Sequence, residues 1–287
     1  MYFEQKYRIA VWIVSGSAGV SIMLMPFLLG LYTPQKPYLI PLSQNVNNIM
    51  TLGLITALIF PAVAEFNNYR WGRQVDRHLP RLLRDIADAV RSGISLPRAL
   101  EEASQRDYGP ISKELERTAS MFILAGRWDD SLVSLAQRLK RPAVLRFSTI
   151  LIEAHQTGGK MIEVLDTSVD LFSSLNEYSE EQYNNMRPYT MTVYLAVVIF
   201  LIIARVVLHQ FLGPLYVAST SVAAEESGFL TGVLDINYYT SILFWASNLE
   251  SIFGGLIAGK IGEKTLSAGL LHAVVLTAVT LVFFNIG

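Results

Sequence analysis

PYTMTVYLAVVIFLIIARVVLHQFL, residues 188–212, carries a single charge, Arg205, in an otherwise apolar run. An α-helix crosses the hydrocarbon core of a bilayer with about 20 such residues. In lipid, that helix satisfies its backbone polar groups internally and needs no other cover. Working outward from this run, four more stretches read the same way. They are Ile9 to about Tyr32, about Val46 to Ala64, about Tyr238 to Ala258, and Thr265 to Asn285. The fourth span of the series, from Tyr238, is the most polar, because Asn248 and Glu250 lie inside it. The first exceeds the 7–15 apolar residues of a signal-peptide core and the next follows closely, so it reads as an anchor.

Composition agrees. The chain of 287 residues has no cysteine, 52% hydrophobic residues and 16% charged ones, against roughly 25% charged in soluble domains. Disorder, a disulfide framework and cysteine-based redox or zinc chemistry are excluded. A net charge of −1 argues against a protein built to hold nucleic acid. Basic residues fall in alternate loops. Lys6 and Arg8 precede the first span; residues 65–187 hold 17 of the 23 Lys and Arg; Lys260 and Lys264 lie between the last two spans. The loop 213–237 has none, but carries Glu225, Glu226 and Asp235, and only Lys36 dissents in the loop 33–45. The positive-inside rule then predicts a multi-pass cytoplasmic-membrane protein, N-terminus and middle segment inside, C-terminus outside.

The middle segment shows helical periodicity alone. Val75, Leu79, Leu82, Leu83, Ile86 and Val90 form one stripe. Ser95 with Pro97, Gly109-Pro110, Asp129 as a cap, and Pro142 mark helix starts; a last helix from Lys160 is expected to reach the membrane at Pro188. Gly93, Gly126 and Gly158, spaced 33 and 32 apart, separate three helical hairpins, each glycine suited to a left-handed C-cap. The expected fold is all-α: about five transmembrane helices with a cytoplasmic six-helix bundle between the second and third. Domains are expected at 1–66, 67–187 and 188–287.

Ser92-Gly93-Ile94-Ser95-Leu96-Pro97-Arg98-Ala99-Leu100-Glu101 resembles the first hairpin of the type II secretion system F domain. Glu153-Ala154-His155-Gln156-Thr157-Gly158-Gly159-Lys160, leading to Glu163-Val164-Leu165, resembles its last. Gly255-Leu256-Ile257-Ala258-Gly259-Lys260-Ile261-Gly262-Glu263 and Ala268-Gly269-Leu270-Leu271-His272 are similar to the archaeal branch, which holds the membrane platforms of archaella and archaeal type IV pili. Tight-adherence pilus proteins are relatives. The resemblance covers about 70 to 287. It implies a non-enzymatic platform that contacts a hexameric secretion ATPase and lifts pilin or archaellin subunits from the membrane. Many archaeal members carry two F domains where this chain shows one, so a homodimer or a heterodimer with a paralogue is implied.

Several residues stand out on their own chemistry. Arg73, Arg77, Arg81 and Arg84, spaced four, four and three, share one helix face. They suit anionic headgroups or a partner, or simple positive-inside anchoring with pairs Arg81–Asp85 and Arg84–Asp88. Residues 67–150 hold 15 basic and 10 acidic residues, a net +5; residues 151–187 hold two and seven, a net −5. This division can orient docking. Arg205, Glu250 and His272 are the intramembrane polar residues, expensive unless partnered or hydrated. Glu250 is expected to meet Arg205, with His272 the rival. Gly255 and Gly259 read either as a small-xxx-small helix contact or as lipid-tolerated glycine. Catalytic, cofactor and metal sites are not expected: His78, His155, His209 and His272 form no metal-spaced pair. Gly254–Lys260 has phosphate-loop spacing, but Ile261 replaces the Ser or Thr that would hold magnesium. A small secondary transporter or channel, or a membrane-anchored helical scaffold, stands as the alternative.

Overall fold

The computed structural model describes residues 5–34, 40–219 and 235–286, and all regular structure among them is helical. Lys36, Glu225 and Glu226, on which part of the loop reading rests, lie outside the described residues. The chain divides into two compact units, Asn67–Asn184, and Gln5–Phe66 with Asn185–Gly287.

The first unit is built from the second half of α2 (Gln44–Arg91), α3 (Leu96–Ser104), α4 (Ser112–Ala125), α5 (Trp128–Leu139), α6 (Pro142–Thr157) and the first half of α7 (Met161–Val206). The α2 stripe is the spine of its core. Val75, Leu79, Leu82, Leu83 and Ile86 are fully buried among Leu100, Leu115, Leu132, Leu135, Phe147 and Leu151. Burying a side chain of that size contributes about 1.5–3 kcal/mol. Gly126 closes α4 in the left-handed region at φ 68°, its N–H bonded to the Phe122 carbonyl at 2.8 Å. Gly158 has φ 58° but ψ −100°, outside that region, and a 3₁₀ turn follows it. Asp129 is not a cap. Arg127 occupies the N-cap of α5 and Asp129 sits in the first turn, where the helix dipole favours a carboxylate. The last helix reaches Pro188 and continues through it into the following span. The proline forfeits one backbone donor, but the ladder resumes beyond it and α7 runs on to Val206.

The second unit holds α1 (Gln5–Leu28), the first half of α2, and the second half of α7 with its continuation. That continuation is a π-helical segment, Val207–Leu212, and α8 (Gly213–Ser219); α9 (Ile236–Gly262) and α10 (Leu266–Asn285) complete the unit. Five helices are long and apolar enough to cross a membrane. Large apolar side chains such as Ile13, Phe60, Ile203 and Phe253 face outward, as lipid-solvated helices require. Two antiparallel helix pairs owe their closeness to glycine. A Cβ on Gly19 would lie 2.5 Å from the Cβ of Ala57, and one on Gly53 2.6 Å from Met23 Cγ, which holds α1 against α2. On α9, Gly255 abuts the backbone of His272 and Ala273, and Gly259 that of Gly269, with no room for a Cβ at either. Close backbone approach of this kind drives association where the hydrophobic effect is absent.

Candidate functional site

Of the four arginines of α2, Arg73, Arg77 and Arg84 reach α7, while Arg81 lies by Asp85 and the Tyr108 ring. Arg73 Nη2 lies 3.1 Å from the Glu180 carboxylate and Arg77 Nε 3.0 Å from the same group. The Arg73 guanidinium also stacks 3.6 Å from the centre of the Tyr183 ring, a cation–π contact. Arg84 donates to Ser173 Oγ at 3.2 Å. The expected Arg84–Asp88 pair is therefore not made. Asp88 instead accepts from Arg91 at 3.1 Å, while Arg91 also reaches Asp166. Arg81–Asp85 stands at 4.0 Å, because Asp85 already accepts from the Tyr108 hydroxyl at 2.6 Å and lies 3.6 Å from Arg106. Burial first, and then the bond to Asp85, push the Tyr108 hydroxyl up to about 12.

Part of the +5/−5 division is thus spent inside the unit, where Glu180 and Asp166 of α7 meet arginines of α2. Arg77 and Arg81 keep 58% and 66% of their side chains exposed. With Arg73, Arg146, Phe172 and Leu175 near it, Arg77 borders a 210 Å³ pocket between α2, α6 and α7. Exposed ion pairs of this kind contribute at most about 1 kcal/mol each, so the groove can exchange partners at little cost.

In the membrane unit the polar side chains gather at its two ends and midway. At one end Asn47 donates to Ser241 Oγ at 3.0 Å and accepts from Trp245 Nε1 at 3.0 Å, while Asn48 and Asn285 exchange amide hydrogen bonds of 2.6 and 3.1 Å. Midway, Ser251 and Thr280 hydroxyls meet at 2.8 Å. At the other end Arg8 forks onto the buried Glu65 at 2.7–2.9 Å. There too His272 bridges Tyr194, 2.7 Å from Nδ1, and Glu263, 3.4 Å from Nε2. With a neutral ring, both bonds form when the tyrosine hydroxyl donates to Nδ1 and Nε2–H donates to the carboxylate.

Glu250 has neither expected partner. No hydrogen bond or ion pair joins it to any described residue, and its Oε2 is buried. Phe244 pairs with Phe284, Ser251 with Thr280, Gly255 with Ala273 and Gly259 with Gly269, which sets Glu250 about level with Thr280 of α10, roughly one turn from Phe283. Arg205 lies over the Phe283 ring, 5.7 Å from its centre, in the last turn of that helix. His272 lies toward the opposite end, already engaged by Glu263. Arg205 and His272 are separated along the bundle with Glu250 between them, so the three do not form one cluster. No group of three or more His, Asp or Glu suited to a metal occurs among the described residues.

Residues 82–209 match the family model for type II secretion system (T2SS), protein F. This stretch is a type II secretion system F domain. The F domain opens within α2 at Leu82, takes in the rest of the helical unit, and ends in the π-helical segment at His209. Arg84 and Arg205 fall within it; Arg73, Arg77, Arg81, Glu250, Gly255, Gly259 and His272 fall outside. The chain is also similar to the uncharacterized protein MJ1286 of Methanocaldococcus jannaschii, 25% identical over 213 residues, 74% of this chain. It spans about a third of that relative's length, 34%. No solved structure matches the chain.

Sequence reasoning missed Glu180, Tyr194, Glu263, Asn47 and the Arg8–Glu65 pair. The signal for Arg8 and Glu65 was present, opposite charges at adjoining ends of successive spans, as two helices joined outside the membrane bring them together.

Proposed function

We propose that this chain is the membrane platform of a filament-assembly machine of the archaeal type IV pilus or archaellum kind. Its helical unit faces the cytoplasm, engages a hexameric secretion ATPase, and transmits that motor's motion to pilin or archaellin subunits leaving the membrane. The platform itself does no chemistry; the energy comes from the partner. The observation that carries this reading is the F-domain match, whose bounds run from the helical unit into a helix long and apolar enough to cross a membrane. The alternation of basic loops supports the inward orientation. The exposed Arg77, which borders the α2–α7 groove, and the exposed Arg81 one turn on supply a surface for an acidic face of the motor. A second copy or a paralogue supplies the other half of the platform, in keeping with a relative about twice as long.

The test is affinity purification of the tagged chain from membranes of its own host. The ATPase should co-elute, and reversal of Arg77, Arg81 and Arg84 to Glu should release it while membrane levels stay unchanged. Purified chain that binds no ATPase, yet carries ions across liposome membranes, would overturn the platform in favour of a transporter.

A further inference from the structure

Arg205, His209 and Gln210 line one pocket of 340 Å³, together with Ile202, Val206 and Phe283. In an α-helix, positions i and i+4 share a face; in the π-helical segment from Val207 the bonds run to i+5, so His209 and Gln210 both stand about one turn beyond Arg205. Local irregularity of the helix therefore gathers three polar groups where regular winding would align two.

Among the described residues, none of the three has a hydrogen bond or ion pair; the guanidinium has only the Phe283 ring. No carboxylate among the described residues lines the pocket. That sets Arg205 apart from Arg73, Arg77, Arg91, Arg138 and Arg141, each of which meets an acid. Depth decides what anion can answer it. Phe283 is two residues from the end of α10 at Asn285, about 3 Å by helical rise. The guanidinium therefore sits near the level where the hydrocarbon core gives way to headgroups. Around it Ile202, Ile203 and Phe211 are exposed and apolar, a surface that acyl chains solvate.

We propose that this pocket seats the phosphodiester headgroup of an anionic phospholipid. The guanidinium takes two phosphate oxygens through its planar fork, His209 and Gln210 donate from the turn beyond, and the first acyl carbons lie on Ile202, Val206 and Phe283. The site holds independently of what the chain assembles, since it uses only the membrane unit.

Titration of the full-length detergent-solubilised chain with phosphatidylglycerol and with diacylglycerol, read by native mass spectrometry, tests it. Phosphatidylglycerol should be retained and diacylglycerol, which lacks the phosphate, should not. Arg205→Gln should weaken phosphatidylglycerol binding about fivefold, the factor one basic residue contributes beside an anionic surface, and Arg205→Lys should recover part of it. Gln210 is exposed, so Gln210→Glu should weaken binding comparably in a chain that folds normally. Equal binding by these variants, or equal retention of diacylglycerol, overturns the site. So does a photocrosslinker at Val206 that captures a membrane protein through an acidic residue while the chain shows no preference for phosphatidylglycerol. The occupant would then be a protein carboxylate.

Discussion

Alanine at both Gly255 and Gly259 should drive α9 and α10 apart. The added Cβ atoms would overlap backbone atoms of Ala273 and Gly269, which cannot swing aside as a side chain can. Non-bonded carbons rest at about 3.5–4.0 Å, so the helices must separate by an ångström or more. The Ser251–Thr280 bond, now 2.8 Å, would stretch beyond hydrogen-bonding range. Overpacking costs about 1–3 kcal/mol, and a lost hydrogen bond adds roughly 0.5–1.5 kcal/mol. Gly16→Ala is the matched control, because a Cβ there meets nothing within 4 Å; helix propensity alone favours it by about 0.5–1 kcal/mol. The same chemical change should therefore destabilise at one site and stabilise at the other. Thermal unfolding of the purified protein in detergent reads the difference. In the cysteine-free chain, Ser251→Cys with Thr280→Cys reports the separation directly, by disulfide formation that Gly255→Ala/Gly259→Ala should suppress. A double-alanine protein that unfolds like Gly16→Ala and cross-links at the unmodified rate would refute the packing argument.

Glu65→Gln should cost about 2–3 kcal/mol by leaving Arg8 without its counter-charge at the span end, and a double-mutant cycle with Arg8→Gln should show strong coupling. Tyr108 stays protonated in the folded chain up to about 12, whereas unfolded tyrosine ionises near 10. Stability should thus be level below pH 10 and fall between 10 and 12, where the unfolded state has shed the proton first; Tyr108→Phe should flatten that fall in alkaline unfolding curves. Glu180→Gln should cost under about 1 kcal/mol in unfolding experiments, with the cost shrinking further in salt, because its pairs with Arg73 and Arg77 are partly exposed. A cysteine at Ser221 should react with an impermeant probe on intact cells and one at Ser120 should not; the reverse pattern would turn the chain around in the membrane.

The spans and the α2 stripe were legible because both rest on periodicity and length, which one sequence carries in full. Pairing was less legible. Counting depth from sequence-drawn ends of the spans put Arg205 within reach of Glu250. In the structure Arg205 meets the Phe283 ring and His272 meets Tyr194 and Glu263, contacts that a count along one helix does not contain. The arginine stripe shows the same limit. Its spacing announced a shared face, but Glu180 and Ser173 belong to α7, 107 positions from Arg73 and 89 from Arg84, beyond any local partner rule. Local i,i+4 reasoning therefore chose Asp88 for Arg84, and α7 supplied Ser173 instead.

The polar clasp at Asn47 and Asn48 also has a bearing on biogenesis. The α9–α10 hairpin is joined by a short link, and α1 lies beside α2 in the chain, so each pair can form as soon as it leaves the ribosome and enters the bilayer. Asn47 reaches Ser241 across 194 positions, and Asn48 reaches Asn285 across 237. Contacts that distant carry the largest closure entropy and form late. The α1–α2 hairpin must then wait, with two amide side chains lacking these partners, until α9 and α10 have been synthesised. The clasp makes α10 a late lock on α2: a product without α10 cannot close the Asn48–Asn285 pair.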